Sequence, residues 1–383
     1  MRKFLLHILV WTCISLQAQL PNDPFYEAPF KDSLYILGDH NSFVDSGSQK
    51  QSLSTIRFDF QSLFFVRNNE YFTRIDPGHT WFGNQLVPSV YWYPSSVSGL
   101  ALRGGLFLLH HYGETWPSEW NPVVSLSYQY KQTRFVMGTL YGGLEHRLIE
   151  PLYAFERGLY DRYEQGFQIL HNSKYLEFDT WVNWRQTTYP DIPEQPEVFN
   201  SGINAFVSFR NKKPSYTSCD MNLQLVNHHE GGALNQTPVI NHSSAALGFR
   251  IQHKHSASMQ SFVKAYGLYA LDHSPQINAP FNQGIASYLH AGFRKNNFQT
   301  MLSYWYAEGF FSPYGMPMMG SFSYENPQVT SFQRNLLFVR FMYSIAVVPQ
   351  SFYTELRLEP IANFADKRWD YSFGIYFIYK HSQ

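Results

Sequence analysis

The sequence predicts an all-β protein, namely a transmembrane antiparallel up-and-down β-barrel of about 16 strands. Three observations lead to this prediction. From Leu53 onward, apolar and polar residues alternate over segments longer than the roughly 5–6 residues of an average strand. The connections between these segments are short and long in turn. The amino-terminal residues, finally, have the pattern of an export signal.

The segment 54–66 illustrates the alternation. Ile56, Phe58 and Phe60 share one face, while Arg57 and Asp59 fall on the other. This period of two is typical of a strand, because successive side chains point to opposite faces of the sheet. A tilted strand that crosses a bilayer needs about 9–11 residues. The segments therefore have membrane-spanning length.

The same criterion, applied along the chain, predicts an even number of strands, about sixteen. An even number places both termini in the periplasm, as in other single-chain barrels of bacteria. The predicted strands cover residues 53–67, 79–92, 98–111, 121–131, 133–145, 163–171, 174–188, 198–210, 216–228, 240–254, 258–271, 285–295, 297–309, 330–345, 351–361 and 367–380.

The connections support an outer-membrane barrel. Tight turns rich in Asn, Ser, Lys and Pro join the strands at one end, and longer loops join them at the other. Outer-membrane barrels have short periplasmic turns and longer outside loops. We therefore expect the long loops on the cell surface, at residues 68–78, 112–120, 146–162, 189–197, 229–239, 272–284, 310–329 and 362–366.

The domain organisation follows from the amino-terminal pattern. In residues 1–18, Arg2 and Lys3 precede an apolar run that is too short to span a bilayer, and Ala18 is the small residue expected before a cleavage site. This predicts a signal peptide. Residues 19–52 contain no long alternating run and are predicted to form a periplasmic segment. Residues 53–383 are predicted to form the barrel.

Composition agrees with a membrane protein. Aromatic residues make up 18% of the chain, which suits lipid-facing strands and the aromatic girdles of a barrel. The 29 basic residues are balanced by 29 acidic ones, so no nucleic-acid partner is expected. Outer-membrane lipid and lipopolysaccharide are the expected partners, and the oligomeric state stays open. The alternative is a secreted soluble β-sandwich or lectin, which the strand lengths disfavour.

Inward-facing polar residues are the candidate functional set. In a barrel they alternate with lipid-facing residues, so the parity of each strand assigns them. Amides, charges and indole rings together suit saccharides, whose hydroxyls need donors and acceptors while the sugar ring packs on an aromatic face. The alternative is the polar lumen that any large barrel has. The predicted lumen and solute-binding residues are Glu177, Asp179, Trp181, Arg185, Arg210, Arg250, Arg294 and Trp305.

Catalytic and metal-binding patterns are weak. The histidine-containing runs 110–114 and 228–230 lack the spacing of a zinc site, and adjacent residues of a strand point to opposite faces. No Gly-x-Ser-x-Gly or His-Glu-x-x-His motif occurs. The sequence therefore predicts a protein that is not an enzyme and has no metal, cofactor or catalytic residue. Serine and histidine on a barrel wall keep nucleophilic chemistry open.

Three segments carry a family resemblance. Residues 68–72 (NNEYF), 138–146 (GTLYGGLEH) and 179–184 (DTWVNW) resemble uncharacterised outer-membrane barrels of the Bacteroidota. The resemblance implies the fold and the outer-membrane location but no activity. One departure concerns the carboxyl terminus, because such barrels usually end in an aromatic residue. Here Lys380, His381, Ser382 and Gln383 follow the last alternating residues.

The functional prediction from sequence is an outer-membrane channel for polar solutes or glycans, with a saccharide solute as the implied partner. Two alternatives stay open. One is a barrel-embedded hydrolase that acts on envelope lipid, and the other is a structural or assembly barrel whose lumen is plugged. The identity of the solute and the direction of transport do not follow from the sequence.

Overall fold

Sixteen antiparallel strands close into a barrel, in which β1 pairs with both β2 and β16. The computed structural model describes residues 54–189, 195–209, 217–232, 238–256, 258–275, 279–349 and 351–382. The predicted fold class is therefore confirmed. The predicted signal peptide and periplasmic segment lie outside the described residues. No helix in the described ranges is long and apolar enough to cross a bilayer.

Each strand pairs with its neighbours in sequence, so the barrel is of the up-and-down type. The strands are β1 Thr55–Glu70, β2 Thr80–Tyr93, β3 Leu100–His111, β4 Glu119–Tyr130, β5 Thr133–Thr139, β6 Gln165–Asn172, β7 Leu176–Gln186, β8 Val198–Ser208, β9 Thr217–Glu230, β10 Ile240–Ser256, β11 Met259–Asp272, β12 Gln283–Lys295, β13 Phe298–Glu308, β14 Gln333–Val348, β15 Phe352–Asn363 and β16 Arg368–Ser382.

The alternating pattern determines which side chains face outward. On β1, Phe58 and Phe64 are 60% and 43% exposed, whereas Leu63 and Phe65 are buried inside the barrel. Exposed apolar residues recur on every strand except β8, whose outward residues are half-buried, and this pattern is what a lipid-facing surface requires. The structure also alternates shorter and longer connections, although the last connection at the long-loop end, residues 364–367, is a short turn. The long-loop end is the cell-surface end in outer-membrane barrels.

The fifth strand is shorter than the sequence predicts. The predicted strand 133–145 ends at Thr139, just after Gly138, which has a φ of +100°. A Cβ atom at Gly138 would lie 2.2 Å from the carbonyl oxygen of Val124, so this backbone suits glycine only. The chain then leaves the wall. The connection to β6 therefore covers residues 140–164. The prediction that residues 140–145 belong to the strand was wrong.

Two long connections fold into the barrel rather than over it. Residues 140–164 contain a 3₁₀ turn, Gly143–His146, and one helical turn, α1, Arg157–Tyr160. Residues 309–332 contain the 3₁₀ turn Pro317–Met319. We call these two connections the luminal plug. Their buried apolar side chains form one core with inward-facing residues of the wall.

Backbone hydrogen bonds join the two halves of the luminal plug. The amide of Ala154 donates to the carbonyl of Tyr314 at 2.7 Å, and that of Met316 donates to the carbonyl of Glu150 at 2.9 Å. The side chains of Phe155, Phe311 and Met318 are almost completely buried. The plug therefore has a packed interior of its own and is more than a loop resting in the lumen.

Candidate functional site

Buried ion pairs attach the luminal plug to the wall. Glu150 contacts Arg340 of β14 at 2.5 Å and Arg357 of β15 at 2.9 Å, and all three side chains are at most 4% exposed. Glu359 of β15 also pairs with both arginines. Buried charges require such pairing, because an isolated ion loses its hydration without compensation. This network fixes the plug to one side of the barrel.

A second ionic contact crosses to the first strand. Arg67 of β1 donates to Glu156 of the plug at 2.8 Å. Burial alone would raise the pKa of Glu156, but the guanidinium of Arg67 holds it below its usual range. On the far wall, Gln224 of β9 accepts a hydrogen bond from the amide of Ile149 at 2.9 Å. The plug therefore spans the lumen from wall to wall.

His146 is a completely buried polar residue of the plug. Its Nδ1 lies 2.8 Å from Asp179 and its Nε2 lies 2.9 Å from Glu164, while its ring stacks on Trp181 at 3.5 Å. Burial favours the neutral ring, but the two carboxylates outweigh it and raise the pKa of His146 to about 9. The ring is therefore a cation at neutral pH. Since both nitrogens are occupied, its role is structural.

The structure brings Asp179 and Trp181, two of the predicted solute-binding residues, together around His146. Glu177, on the same strand, also meets the plug, because Arg147 donates to it at 2.6 Å. These three side chains face inward, where they contact protein. Their role in binding a solute stays a prediction.

Arg185 and Trp305 also contact the plug, from separate strands. Arg185 pairs with Asp161 at 2.9 Å. The indole nitrogen of Trp305 donates to the carbonyl of Met319 at 3.0 Å. Trp305 is completely buried, as part of the same core as the plug.

Two of the other predicted arginines are not brought into that group. Arg250 pairs with Asp220 on β9 at 3.0 Å. Arg294 donates to the carbonyl of Asn296, next to the tight turn after β12. Arg210 lies outside the described residues. The seven predicted residues that the structure describes therefore do not form one site.

A different polar cluster lies on the outer surface of the wall. On β9 and β10, the outward row is apolar at mid-strand, where Leu223 and Leu247 are about half exposed. Towards the long-loop end this row becomes polar at Asn227 and Ser243, which are cross-strand partners. The Oγ of Ser243 donates to Asn227 Oδ1 at 2.8 Å. The same Oγ lies 3.1 Å from Nε2 of His273, just beyond β11. We call Asn227, Ser243 and His273 the wall serine site.

A second polar row supports the wall serine site from the long-loop side. Nδ1 of His229 lies 2.7 Å from Oδ1 of Asn241. The backbone of Asn241 accepts from the amide of His273 at 3.0 Å, and its own amide donates to Ser274 Oγ at 2.9 Å. These bonds hold the segment after β11 against the end of β10. His273 is thereby positioned beside Ser243.

The chemistry of this arrangement is that of a nucleophile and a base. A serine hydroxyl and an imidazole nitrogen within hydrogen-bond reach allow proton transfer from the attacking oxygen. The hydroxyl can rotate between its two neighbours, and an Asn amide can orient it or donate to a developing oxyanion. The site faces lipid rather than the lumen, so its substrate has to come from the membrane side.

Sequence reasoning did not select Ser243 or His273. The available signal was the outward parity of Asn227 and Ser243, which interrupts an otherwise apolar row. The position of His273 could not be read from that parity, because it lies in a connection that turns back towards β10.

The fold defines this protein as an outer-membrane β-barrel. OprD of Pseudomonas aeruginosa matches with a TM-score of 0.53 at 10% identity, covering 88% of this chain and 97% of that chain. A loop L8 deletion mutant of the outer membrane protein OmpT of Vibrio cholerae has a TM-score of 0.50 at 10% identity, over 86% and 100% of the two chains. These likenesses show the fold alone, and with it the outer-membrane location is confirmed.

The chain belongs to the Lipid A 3'-O-deacylase-type family, whose model matches residues 48–383. No curated protein matches the chain. The family is described by an enzymatic activity, so the prediction that the protein is not an enzyme is contradicted. The predicted resemblance to outer-membrane barrels holds at the level of the fold, and the Bacteroidota origin stays a prediction.

Proposed function

We propose that this protein hydrolyses an ester-linked acyl chain of lipid A, with Ser243 as the nucleophile and His273 as the base. The observation that carries the proposal is the family match over residues 48–383. The wall serine site supplies the geometry for the reaction.

The position of the wall serine site suits this substrate. The ester of a 3'-O-acyl chain joins an acyl chain in the hydrocarbon to a sugar at the water boundary. The site lies where the outward row changes from the exposed Leu247 and the neighbouring Ala245 to the polar Ser243. An acyl chain lying along this row would place its carbonyl close to the serine. The sugar would then face the polar row at Asn241.

The reaction proceeds in two steps. Ser243 Oγ attacks the ester carbonyl while His273 Nε2 takes the hydroxyl proton, and the amide of Asn227 stabilises the negative oxygen. The bond to the sugar 3'-oxygen breaks, and His273 returns the proton to that oxygen. Water, deprotonated by His273, then cleaves the acyl-serine ester. The products are a free fatty acid, a deacylated glycolipid and the original serine.

Transport is the second candidate, since the fold resembles that of outer-membrane proteins such as OprD. The luminal plug argues against it. Glu150 and Glu156 attach the plug to β14, β15 and β1, and its core fills the space that a solute would cross. In the enzyme proposal the plug instead keeps the wall rigid behind the reactive serine. A rigid wall favours catalysis because it holds reacting groups in place.

The test is lipid A mass spectrometry after expression of the full chain in a Gram-negative host. We expect the mass of lipid A to fall by one acyl chain. Ser243→Ala should reduce the rate on the order of 10⁶-fold, since removal of a nucleophile removes the covalent step. Ser201→Ala is the matched control, because Ser201 is a serine on the neighbouring strand β8 that pairs in register with Asn227.

Three outcomes decide between the candidates. Unchanged lipid A with the wild-type chain would refute the deacylase proposal. Full activity in Ser243→Ala would show that the protein is a deacylase but that its nucleophile is a residue other than Ser243. Labelling of Ser243 by a fluorophosphonate, lost in Ser243→Ala and retained in Ser201→Ala, would identify the nucleophile directly.

A further inference from the structure

The wall of the barrel is incomplete between β4 and β7 at the long-loop end. The two strands between them, β5 and β6, are short, and the pairing of β5 with β4 ends at Ser125. Among the described residues, 119–124 of β4 therefore have no strand partner on that side. On β7, the pairing with β6 ends at Asn183. We call this gap in the wall the lateral notch.

Side chains complete the hydrogen bonding at the open edge of β4. The amide of Val124 donates to Thr139 Oγ1 at 3.0 Å. Pro122 has no N–H group, and its carbonyl accepts a hydrogen bond from the hydroxyl of Tyr163 of the luminal plug. These contacts matter because the interior of a bilayer offers a sheet edge no hydrogen-bond partners. The lateral notch is therefore a stable feature of the wall rather than an edge that pairs with a further strand.

The lateral notch opens onto an apolar recess on the lipid-facing surface. The recess has a volume of about 900 Å³. This is near the upper end of the range for small-molecule pockets, about 300–1,000 Å³. Its apolar lining comes from β2, β3, β4, β5 and β7 and includes Trp92, Leu126, Met137 and Trp184. A recess of this kind suits a long apolar chain.

A glycine forms the floor where the recess continues towards β1. Gly104 of β3 is exposed, and a Cβ atom there would meet no residue within 4 Å apart from its chain neighbours. A second recess of about 430 Å³, lined by Phe58, Phe60 and Leu106, shares Val90 and Gly104 with the first. The two recesses therefore form one continuous groove, which we call the lipid-face groove. A larger side chain at position 104 would obstruct it.

The lipid-face groove is polar at the end of β7, where it carries a guanidinium group. Arg185, Gln186 and Thr187 line this end. The side chain of Arg185 is 33% exposed, and one of its terminal nitrogens pairs with Asp161 at 2.9 Å. Asp161 also pairs with Arg157, so two guanidinium groups share one carboxylate. A guanidinium has five N–H donors, which allows Arg185 to bind a second anion.

We propose that the lipid-face groove binds a long-chain fatty acid taken from the bilayer, with the carboxylate at Arg185 and the chain along the apolar recess. A fatty acid has the same arrangement of parts as the groove, namely a long apolar chain and one charged group at its end. The groove is continuous with the lipid-facing surface, so such a ligand enters it without crossing water. Glu119 lies close enough to Arg185 for their charges to interact, and it therefore competes with the ligand.

The lipid-face groove is distinct from the wall serine site. The groove lies on β1 to β7, whereas the wall serine site lies on β9, on β10 and just beyond β11, so this proposal does not rest on the deacylase activity. Arg185 is shared with the predicted solute-binding residues. Arg103 also borders the recess, but it is buried and donates to Ser89 at 2.8 Å. Arg185 is therefore the cation that a ligand in the groove can reach.

The test uses the full chain in nanodiscs of phosphatidylcholine and a fatty acid that carries a diazirine near the end of its chain. After illumination, mass spectrometry locates the cross-links. We expect saturable labelling at Leu126 and Met137, which excess unlabelled fatty acid abolishes. Gly104→Leu should weaken binding about tenfold, as expected when about two CH₂ groups of the chain lose their contacts. Gly267→Leu is the matched control, because Gly267 is equally exposed and open on the outer face of β11.

Arg185→Gln tests the carboxylate contact and is a second variant, independent of the glycine. It should weaken the binding of the fatty acid about tenfold, as expected for a hydrogen bond to a charged group, and leave the binding of the matching fatty alcohol unchanged. Glu119→Gln should strengthen the binding of the fatty acid, because it removes the competing carboxylate. A fatty alcohol bound as tightly as the fatty acid would overturn the proposal. Equal affinities in Gly104→Leu and Gly267→Leu would do the same.

Competition separates the fatty acid from the other possible occupant, an acyl chain of a membrane phospholipid. Replacing part of the phosphatidylcholine by phosphatidylglycerol should leave the labelling unchanged. Displacement by phosphatidylglycerol would assign the groove to a phospholipid and overturn the proposal, as would the absence of saturable labelling. No lipid A is present and no ester is hydrolysed in these measurements. Failure of this site is therefore distinguishable from failure of the deacylase proposal.

Discussion

Replacement of Glu150 by Gln tests whether buried ion pairs hold the luminal plug in place. The change keeps the size of the side chain but removes the negative charge between Arg340 and Arg357, all three of which are buried. Glu359 still pairs with both arginines. The two guanidinium groups would then share one carboxylate instead of two.

The magnitude follows from the burial of the pair. Removal of one partner of a buried ion pair destabilises a protein by roughly 3–5 kcal/mol, because the remaining charge is left uncompensated. Since Glu359 remains, we expect the lower end of that range, about 3 kcal/mol. If this free energy is lost only from the binding of the plug inside the barrel, the equilibrium between bound and released plug changes on the order of 10²-fold.

Two measurements on folded protein check this expectation. Urea unfolding in lipid vesicles reports the free energy of unfolding, and planar-bilayer recording reports conductance through a barrel whose plug has left. Glu177→Gln is the matched control, since the Glu177–Arg147 pair also joins the wall to the plug but is partly exposed. Its effect should stay below about 1 kcal/mol. Equal unfolding free energies for the two variants would refute the reasoning about burial.

Three further predictions concern topology, pH and the lipid-facing surface. With the native cysteine replaced, a cysteine at the exposed Gln328 should react with an impermeant reagent on intact cells. A cysteine at the buried Met318 should not react. Labelling at position 328 only after the cells are ruptured would show that the long loops lie in the periplasm. Because the folded-state pKa of His146 is raised from 6.5 to about 9, its stabilisation, on the order of 3 kcal/mol, should be complete below pH 6.5 and lost as pH rises through 9. Thermal unfolding should therefore shift over this window in wild type but not in His146→Gln, and equal shifts in both would contradict the assignment. Leu247→Arg, on the mid-strand lipid face, should destabilise the barrel by about 2–4 kcal/mol and His253→Arg, near the tight-turn end of that row, by about 0–1 kcal/mol; equal tolerance in refolding assays would contradict the assigned depth.

The sequence predicts the wall well because a barrel strand is a local pattern. The outward position of Phe58 and the inward position of Asp59 follow from alternation alone. The plug could not be predicted from alternation, because residues 140–145 continue an acceptable strand pattern. What removes them from the wall is the backbone at Gly138 and contacts with distant residues. Glu150 and Arg340, for example, are 190 positions apart in the chain.

In the candidate site, too, the wall residues could be predicted from alternation, whereas the contacts between distant segments could not. Parity placed Asp179 and Trp181 inside the barrel, but their partner His146 lies on the plug, which parity does not describe. The wall serine site requires a contact between Ser243 and His273, which are separated by 30 positions. Such a contact depends on strand register and on the path of one connection. Neither has a signature in a single sequence.

The plug also bears on how the barrel closes. The two ends of the barrel chain meet where β1 pairs with β16, and the plug contacts strands on both sides of that seam. Glu156 binds Arg67 on β1, while Phe155 packs edge-on against Tyr376 on β16 at 5.8 Å. If the barrel closed before the plug had entered it, the buried Arg67 would lack the carboxylate of Glu156. We therefore expect β1 and β16 to pair after the plug has taken its place. Residues 154–156 of the plug would then hold the first and last strands next to each other while they form their hydrogen bonds.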